Sequence, residues 1–373
     1  MTTNTIYFPG LNGLRFLAAF LVIVHHIEQF KGIYKLPNHF HLAFINIAGG
    51  LGVTLFFVLS GYLITYLLLK EKKQYNTISL PKFYIRRILR IWPLYYLLVI
   101  LGFFVFPNII PNTIIPSVRD SNFHLNLLLY VCLIPNISLQ FFNAVPFIAP
   151  LWSVGVEEQF YLIWPVIIKF IKIKLVTVLL IIIASISFLR YLLPFSNNSI
   201  ISNFGFFLEL FRIDCMAIGG VFAYLLFHKK DNILNVIFNR VFQTMSFIVL
   251  FICLFKGLIF PFHHTVYAVL FGLIIINVST NPKSILKLEW KPIIWLGKIS
   301  YGLYVFHGVI IFSILYYFRN LINSINNLYL RDVFIYSIVF FFTISISYLS
   351  YNFYEKRFLR IKQKYTLVKS GSL

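Results

Sequence analysis

Eleven apolar runs divide this chain of 373 residues: 14–31, 49–69, 91–107, 123–135, 151–168, 175–193, 204–227, 242–260, 264–280, 293–318 and 331–354. No other feature restricts the fold as much. A helix rising 1.5 Å per residue needs roughly 20 apolar residues to cross a hydrocarbon core about 30 Å thick. Ten of the runs reach or approach that length, with 91–107 and 264–280 at the short limit. Lipid offers no hydrogen bonds, so a crossing segment of this length must satisfy its own backbone as a helix. The expected fold is therefore all-α, a polytopic transmembrane helix bundle of about ten spans. The run 123–135 is too short and lies among Pro111, Pro116, Pro135 and Pro146, which makes it a short re-entrant segment. Composition agrees. Hydrophobic residues make up 60% of the chain and charged residues 12%, against about 45–50% and 25% in soluble domains. No hydrophilic stretch is long enough for a soluble domain. The chain reads as one membrane domain, residues 1–355, followed by a basic tail, 356–373.

In a soluble protein the net charge of +21 would suggest nucleic acid. Here the Lys and Arg residues lie between apolar runs, where they orient a membrane protein, and no nucleic-acid partner is expected. Suppose the fourth run does not cross and the N-terminus is cytoplasmic. Then 23 Lys and Arg fall inside, in loops 70–90, 169–174, 228–240 and 281–298 and in the tail, against 6 outside. Letting the fourth run cross moves 16 of the 23 to the other side. Both termini are therefore expected in the cytoplasm. Residues 1–13 hold no basic stretch, and no small-residue cleavage pattern follows His26, so the first run is expected to stay attached as a span. Cys132, Cys215 and Cys253 lie in or beside apolar runs without metal or disulfide spacing, as buried inert thiols do.

Ionisable side chains inside such runs cost about 2.5–3.5 kcal/mol each on insertion scales and mark function by default. Arg15 and His26 are both in the first run. Eleven helical steps come to about 1100°, close to three turns, so the two share one face, roughly 16 Å apart along the axis. His25 is rotated off that face. A neutral imidazole at this depth suits a general base, with Glu157 or Glu158 of the fifth run to orient it. Glu209 and Arg212 are spaced i, i+3 and can pair along the seventh run, with Asp214 beyond them. His307 lies in the tenth. The stretch FYIRRILRIWP (83–93) sets Arg86, Arg87 and Arg90 beside Lys82 as a basic collar. Arginine forks grip phosphate, so a phosphorylated ligand such as a nucleotide-bearing thioester fits. Gly49-Gly50-Leu51-Gly52 and Ser60-Gly61 permit close approach of a helix or of a substrate. Each of these has a plainer alternative: a helix-locking ion pair, an interhelical histidine, or an arginine collar that sets topology. Ser153 lacks the Gly-x-Ser-x-Gly surroundings of a nucleophile. His25-His26 and His263-His264 lack metal-ligand spacing, so no metal is expected.

Six stretches in order resemble the acyltransferase 3 family of integral-membrane acyltransferases. They are GLNGLRFLAAFLVIVHH, GGLGVTLFFVLSGYLI (49–64), FYIRRILRIWPLYY (83–96), LWSVGVEEQFYLIWP (151–165), FRIDCMAIGG (211–220) and LGKISYGLYVFHG (296–308). The resemblance implies transfer of an acyl group, usually acetyl, from cytoplasmic acyl-CoA (acetyl-CoA) to a hydroxyl. Its common acceptors are carbohydrates, as surface polysaccharides or lipid-linked glycan precursors. It implies a multi-pass protein of the bacterial cytoplasmic membrane in which residues 1–355 are the acyltransferase domain, with acyl-CoA as substrate and no bound cofactor. By resemblance His26, in Arg-x10-His, is the catalytic histidine, and Glu157 takes the acidic position of Trp-Ser-Leu-x-Val-Glu. Arg15, Arg86, Arg87 and Arg90 serve the acyl-CoA. Arg212 and Asp214 fall on Arg-x-Asp, and Glu355 matches a glutamate after the last span, followed here by Lys356-Arg357 in place of Lys-Pro. Arg212, Asp214 and Glu355 are counted, with Ser60 and His307, among the residues that bind the substrate or the acyl-CoA. Some members carry an appended esterase-like domain. This chain ends at Leu373, and its chemistry is expected to finish in the membrane domain or with a separate partner. The rival reading is a proton-coupled transporter of a small or glycosidic substrate, which would also bury His, Glu and Arg.

Overall fold

A computed structural model describes residues 6–109, 122–142, 145–256 and 263–368, and among these every regular element is helical. Pro111, Pro116 and Arg119 lie outside the described residues. The order begins α1 (Leu11–Ile33), α2 (Ala43–Tyr75) and α3 (Leu80–Ile100), which continues through a π-helical turn into α4 (Phe106–Ile109). Next come α5 (Phe123–Val131), α6 (Pro135–Phe141), α7 (Leu151–Phe170), α8 (Leu175–Leu192), α9 (Ser199–Leu210) and α10 (Ile213–Phe227). The remainder is α11 (Asp231–Phe238), α12 (Arg240–Lys256), α13 (His263–Thr280), α14 (Lys291–Lys298), α15 (Ser300–Tyr317), α16 (Arg319–Ser324) and α17 (Leu328–Ser350). A second π-helical turn joins α17 to α18 (Lys356–Gln363).

Among the described residues seven helices are long and apolar enough to cross a membrane, or up to nine if the bent pairs α9–α10 (41°) and α11–α12 (65°) each count as one span. The run 151–168, counted above as a span, forms α7, which is 20 residues long but carries Glu157, Glu158 and Gln159 at its middle and is not among the seven. The run 204–227 is not one helix. It breaks at Phe211 and Arg212, and 293–318 breaks at Ile299 between α14 and α15. The fourth run forms α5 and α6, parted by Leu133 at φ 61, and neither is long enough to cross.

The centre of the bundle is α2, packed between α1 and α10. Small residues bring these backbones together, as they do where lipid leaves no hydrophobic force between helices. A Cβ on Gly52 would strike the Ala18 carbonyl of α1, and one on Gly61 would strike the Met216 backbone of α10. In return, Gly219 of α10 sits against the Val58 carbonyl of α2. Before α1 the chain is pinned by Glu289. Its carboxylate accepts from the Gly10 N–H and, at 2.7 Å, from the Tyr7 hydroxyl. That hydrogen bond, with partial burial, raises the Tyr7 hydroxyl to about 12. Gly10 itself stands at φ 70, a conformation that glycine alone adopts freely. At the other end α18 turns back onto α3.

Candidate active site

Five helices deliver arginine, carboxylate and hydroxyl groups to one space. Arg15 comes from α1, Arg87 and Arg90 from α3, and Ser60 from α2. With Glu157 and Tyr161 of α7 and Tyr301 and Tyr304 of α15 they line a partly open cavity with about 800 Å³ of space between its atoms, open solvent included. A second, likewise partly open, shares Arg15, Arg90, Ser300 and Tyr301 and adds Lys298 and Glu355. The two cavities are neighbours, with Arg15, Arg90, Ser300 and Tyr301 forming walls of both. The arginines are poorly partnered. Arg15 donates to Asn12 Oδ1 at 2.9 Å. Arg87 lies over the rings of Phe83 and Tyr161, 5.7 and 5.4 Å from their centres, and its buried Nε has no acceptor. The arginine ion pairs among the described residues belong to Arg86 and Arg190. Glu157, the carboxylate of this cavity, is taken by the hydroxyls of Ser60 and Tyr161. Converging guanidinium groups without a paired anion form a receptor for an anionic ligand.

Three turns along α1 lies His26, half-buried. Its Nδ1 is 2.8 Å from the Val22 carbonyl. A carbonyl only accepts, so this assigns the ring hydrogen to Nδ1 and leaves Nε2 as a bare lone pair. His307 repeats the pattern. Its Nδ1 donates to the Tyr304 carbonyl at 2.5 Å, which leaves its Nε2 an acceptor 3.3 Å from His26 Nδ1. The two rings are 4.8 Å apart, and His307 is fully buried. Both Arg15 and His26 face α15, yet the arginine cavity does not count His26 among its walls. It ends at Tyr304 and Ser153. The Tyr304 hydroxyl donates to the Pro150 carbonyl at 2.9 Å and meets Ser153 Oγ at 2.5 Å. The Tyr304 ring is 5.7 Å from that of His307. One tyrosine thus stands between the arginine chamber and the histidine pair.

Several sequence expectations need correction. Glu157 does not orient His26, because its oxygens serve Ser60 and Tyr161. Glu158 accepts from Trp92 Nε1 at 2.8 Å and faces α3. Arg86 leaves the collar, pairing with Glu71 at 3.2 Å and donating to the Tyr365 carbonyl at 2.9 Å. Helical phase does not separate it, since Arg86 lies about 40° from Arg90 and Arg87 about 60°; the pull of Glu71 and the Tyr365 carbonyl does. Glu209 and Arg212 do not pair through their side chains, because the helix breaks just before Arg212. The Glu209 carboxylate reaches His264 at 3.0 Å and Arg190 at 3.5 Å. Arg212 donates to the backbone carbonyls of Glu209 (2.7 Å) and Gly50 (3.1 Å) and lies over Trp152, 5.6 Å from the ring centre. Asp214 holds both terminal nitrogens of buried Arg190, at 2.8 and 3.1 Å, and so fastens α10 to α8. Neither Arg212 nor Asp214 touches the arginine cavity. Glu355 accepts from Ser350 Oγ at 3.0 Å. Cys132 is exposed, not buried. His263 and His264 do meet a third ligand-type group, Glu209, with ligand atoms within 4.8 Å of one another. Arg190 and Arg212 crowd that group and oppose a cation there. Sequence reading missed Tyr161, Tyr304 and Arg190. Arg190, a lone arginine in the last turn of an apolar run, was the one with a visible signal.

The acyltransferase domain family matches residues 8–352 of the chain. The O-acetyltransferase OatA of Staphylococcus aureus (strain NCTC 8325 / PS 47) is 31% identical, over 94% of this chain and 57% of its own length. The peptidoglycan O-acetyltransferase OatA of Listeria monocytogenes serovar 1/2a (strain ATCC BAA-679 / EGD-e) is 28% identical, over 82% of this chain and 49% of its own length. The chain therefore spans about half the length of these relatives. No solved structure matches it. A family match that takes in every described helix from α1 to α17, and with them the arginine chamber and the histidine pair, shows that this chain belongs to the acyltransferase 3 family.

Proposed function

We propose that this chain transfers an acetyl group from cytoplasmic acetyl-CoA to a hydroxyl of a cell-wall carbohydrate of the peptidoglycan kind, within a bacterial cytoplasmic membrane. The observation that carries the reading is the chamber in which Arg15, Arg87 and Arg90 converge without a paired carboxylate. The phosphates of an acyl-CoA supply the missing anion, and the names of the relatives supply the acetyl group and the acceptor class. They give the transporter reading no support. The thioester enters from the α14–α18 end, which the positive-inside rule assigns to the cytoplasm together with both termini. Ten spans follow if α7 crosses as well. Glu157 holds the hydroxyls of Ser60 and Tyr161 toward the donor.

The chemistry belongs to His26. Its bare Nε2 takes the proton of the acceptor hydroxyl as the oxygen attacks the thioester carbonyl. The carbon–sulfur bond breaks, and the thiolate leaves with the proton held on Nε2. While His26 is cationic, its Nδ1–H binds the Val22 carbonyl and the His307 lone pair more strongly, which stabilises the charged ring. Tyr304 must swing aside for the acetyl group to reach His26, so its bonds to Pro150 and Ser153 act as a latch. The test is transfer from labelled acetyl-CoA to peptidoglycan fragments by the purified full chain. His26→Ala is expected to lower turnover by about 10²–10⁴-fold while leaving CoA binding intact, and Arg90→Ala to raise the donor KM. Wild-type turnover by folded His26→Ala removes the assignment. Movement of the glycan across liposomes without acetyl-CoA restores the transporter.

A further inference from the structure

The cation cluster does not end with the arginines. On α18, which packs against α3, Lys362 is only 7% exposed, and the positive charges of Arg90, Arg87, Arg86 and Arg15 act on it. The lysine ion pairs among the described residues are those of Lys31, and Lys362 has none. Leu359, one turn earlier on α18, lines the second cavity beside Arg15, Arg90 and Glu355. Residues three apart share a helix face, so Lys362 lies on the same side of α18 as Leu359, one turn beyond the residues that wall this space. Of these five cations only Arg86 has a carboxylate within ion-pair reach, Glu71. Burying another positive charge against such a group is unfavourable unless an anion joins it. The segment is nonetheless held in place. Arg86 donates to the Tyr365 carbonyl at 2.9 Å, and the Tyr75 hydroxyl reaches the Leu367 carbonyl at 3.5 Å. The sequence reading set 356–373 apart as a basic tail, which hid this arrangement.

We propose that Lys362 completes, with Arg15, Arg87 and Arg90, a site for the phosphate groups of the donor, so that α18 forms one wall of the donor pocket. This rests on the acyl-CoA reading above and adds a residue and an element to it. A lysine supplies a mobile point charge, which suits a phosphate at the rim better than one gripped inside by guanidinium forks. The ligand class is a phosphate-bearing thioester, and CoA itself is the probe.

The experiment measures CoA binding by calorimetry and steady-state kinetics on the full chain in detergent. Lys362→Ala is expected to weaken CoA binding and raise the donor KM by about tenfold, the usual scale for one charged hydrogen bond. kcat and the acceptor KM stay near wild type, Lys362→Arg recovers most of the loss, and the salt dependence of CoA binding becomes shallower. Lys362→Met keeps the buried stem and stands in if the alanine variant does not fold. Unchanged CoA affinity in either folded variant overturns the proposal and leaves the acyl-CoA reading intact, as does a loss confined to kcat. A wild-type protein that neither binds CoA nor uses acetyl-CoA overturns both.

Discussion

A neutral imidazole carries one hydrogen, and in His26 the Val22 carbonyl determines where it sits. That single bond turns the basic nitrogen away from its own helix. His26→Ala should lower kcat by about 10²–10⁴-fold, the range of general-base catalysis, in an assay with both substrates saturating. His307 acts through His26. Replacing it with Phe keeps the ring packing but removes the acceptor at 3.3 Å, and kcat should fall about 10- to 150-fold with both KM values unchanged, since a hydrogen bond to a charged group contributes ~1.5–3 kcal/mol. His307→Gln, which can still accept, should recover part of the loss. A base must be unprotonated to work, so kcat/KM should rise with pH through the His26 titration. The rise should be absent from the residual activity of His26→Ala.

At the scale of elements, the contacts that hold the site are made by residues without chemistry. The α2–α10 seam depends on Gly61 lying against the Met216 backbone, where a methyl group has no room. Gly61→Ala should lower stability by ~1–3 kcal/mol, the usual range for overpacking, read as a lower unfolding temperature in detergent. Arg190 and Asp214 join α8 to α10 through a buried two-point ion pair. Breaking one partner of such a pair costs about 3–5 kcal/mol, so Asp214→Ala should be severely destabilised. The double variant Arg190→Met/Asp214→Leu should recover stability and transfer activity together. A stable but inactive double variant would return Asp214 to the chemistry. The π-helical turns after α3 and α17 lie at the ends of the two helices that bring Arg90 and Glu355 to the second cavity.

For the whole molecule the central issue is which side each loop faces. The excess of Lys and Arg in loops 70–90, 228–240 and 281–298 sets the expectation. In a background with the native cysteines replaced, Ser196→Cys should react in intact cells with a membrane-impermeant maleimide, and Lys229→Cys should react only after the membrane is opened. The reverse pattern would put the arginine chamber on the acceptor side and end the proposed route for the donor. Across this molecule the arginine chamber and the histidine pair are arranged in series along α1 and α15, with Tyr304 between them.

The amino-acid sequence by itself determined that the chain is helical and where its long apolar helices lie, because in lipid each backbone group must be satisfied within its own segment, and that constraint is local. The same local geometry put Arg15 and His26 on one face of α1. Tertiary structure decided everything that depends on a partner distant in sequence. It gave Asp214 to Arg190 and Glu157 to Ser60 and Tyr161, turned Arg86 toward Glu71, broke the seventh run at Arg212, and brought Lys362 against the arginines. A helical period states which way a side chain points from its own axis. It carries no information about which other helix stands there, and for buried charges that neighbour determines the chemistry.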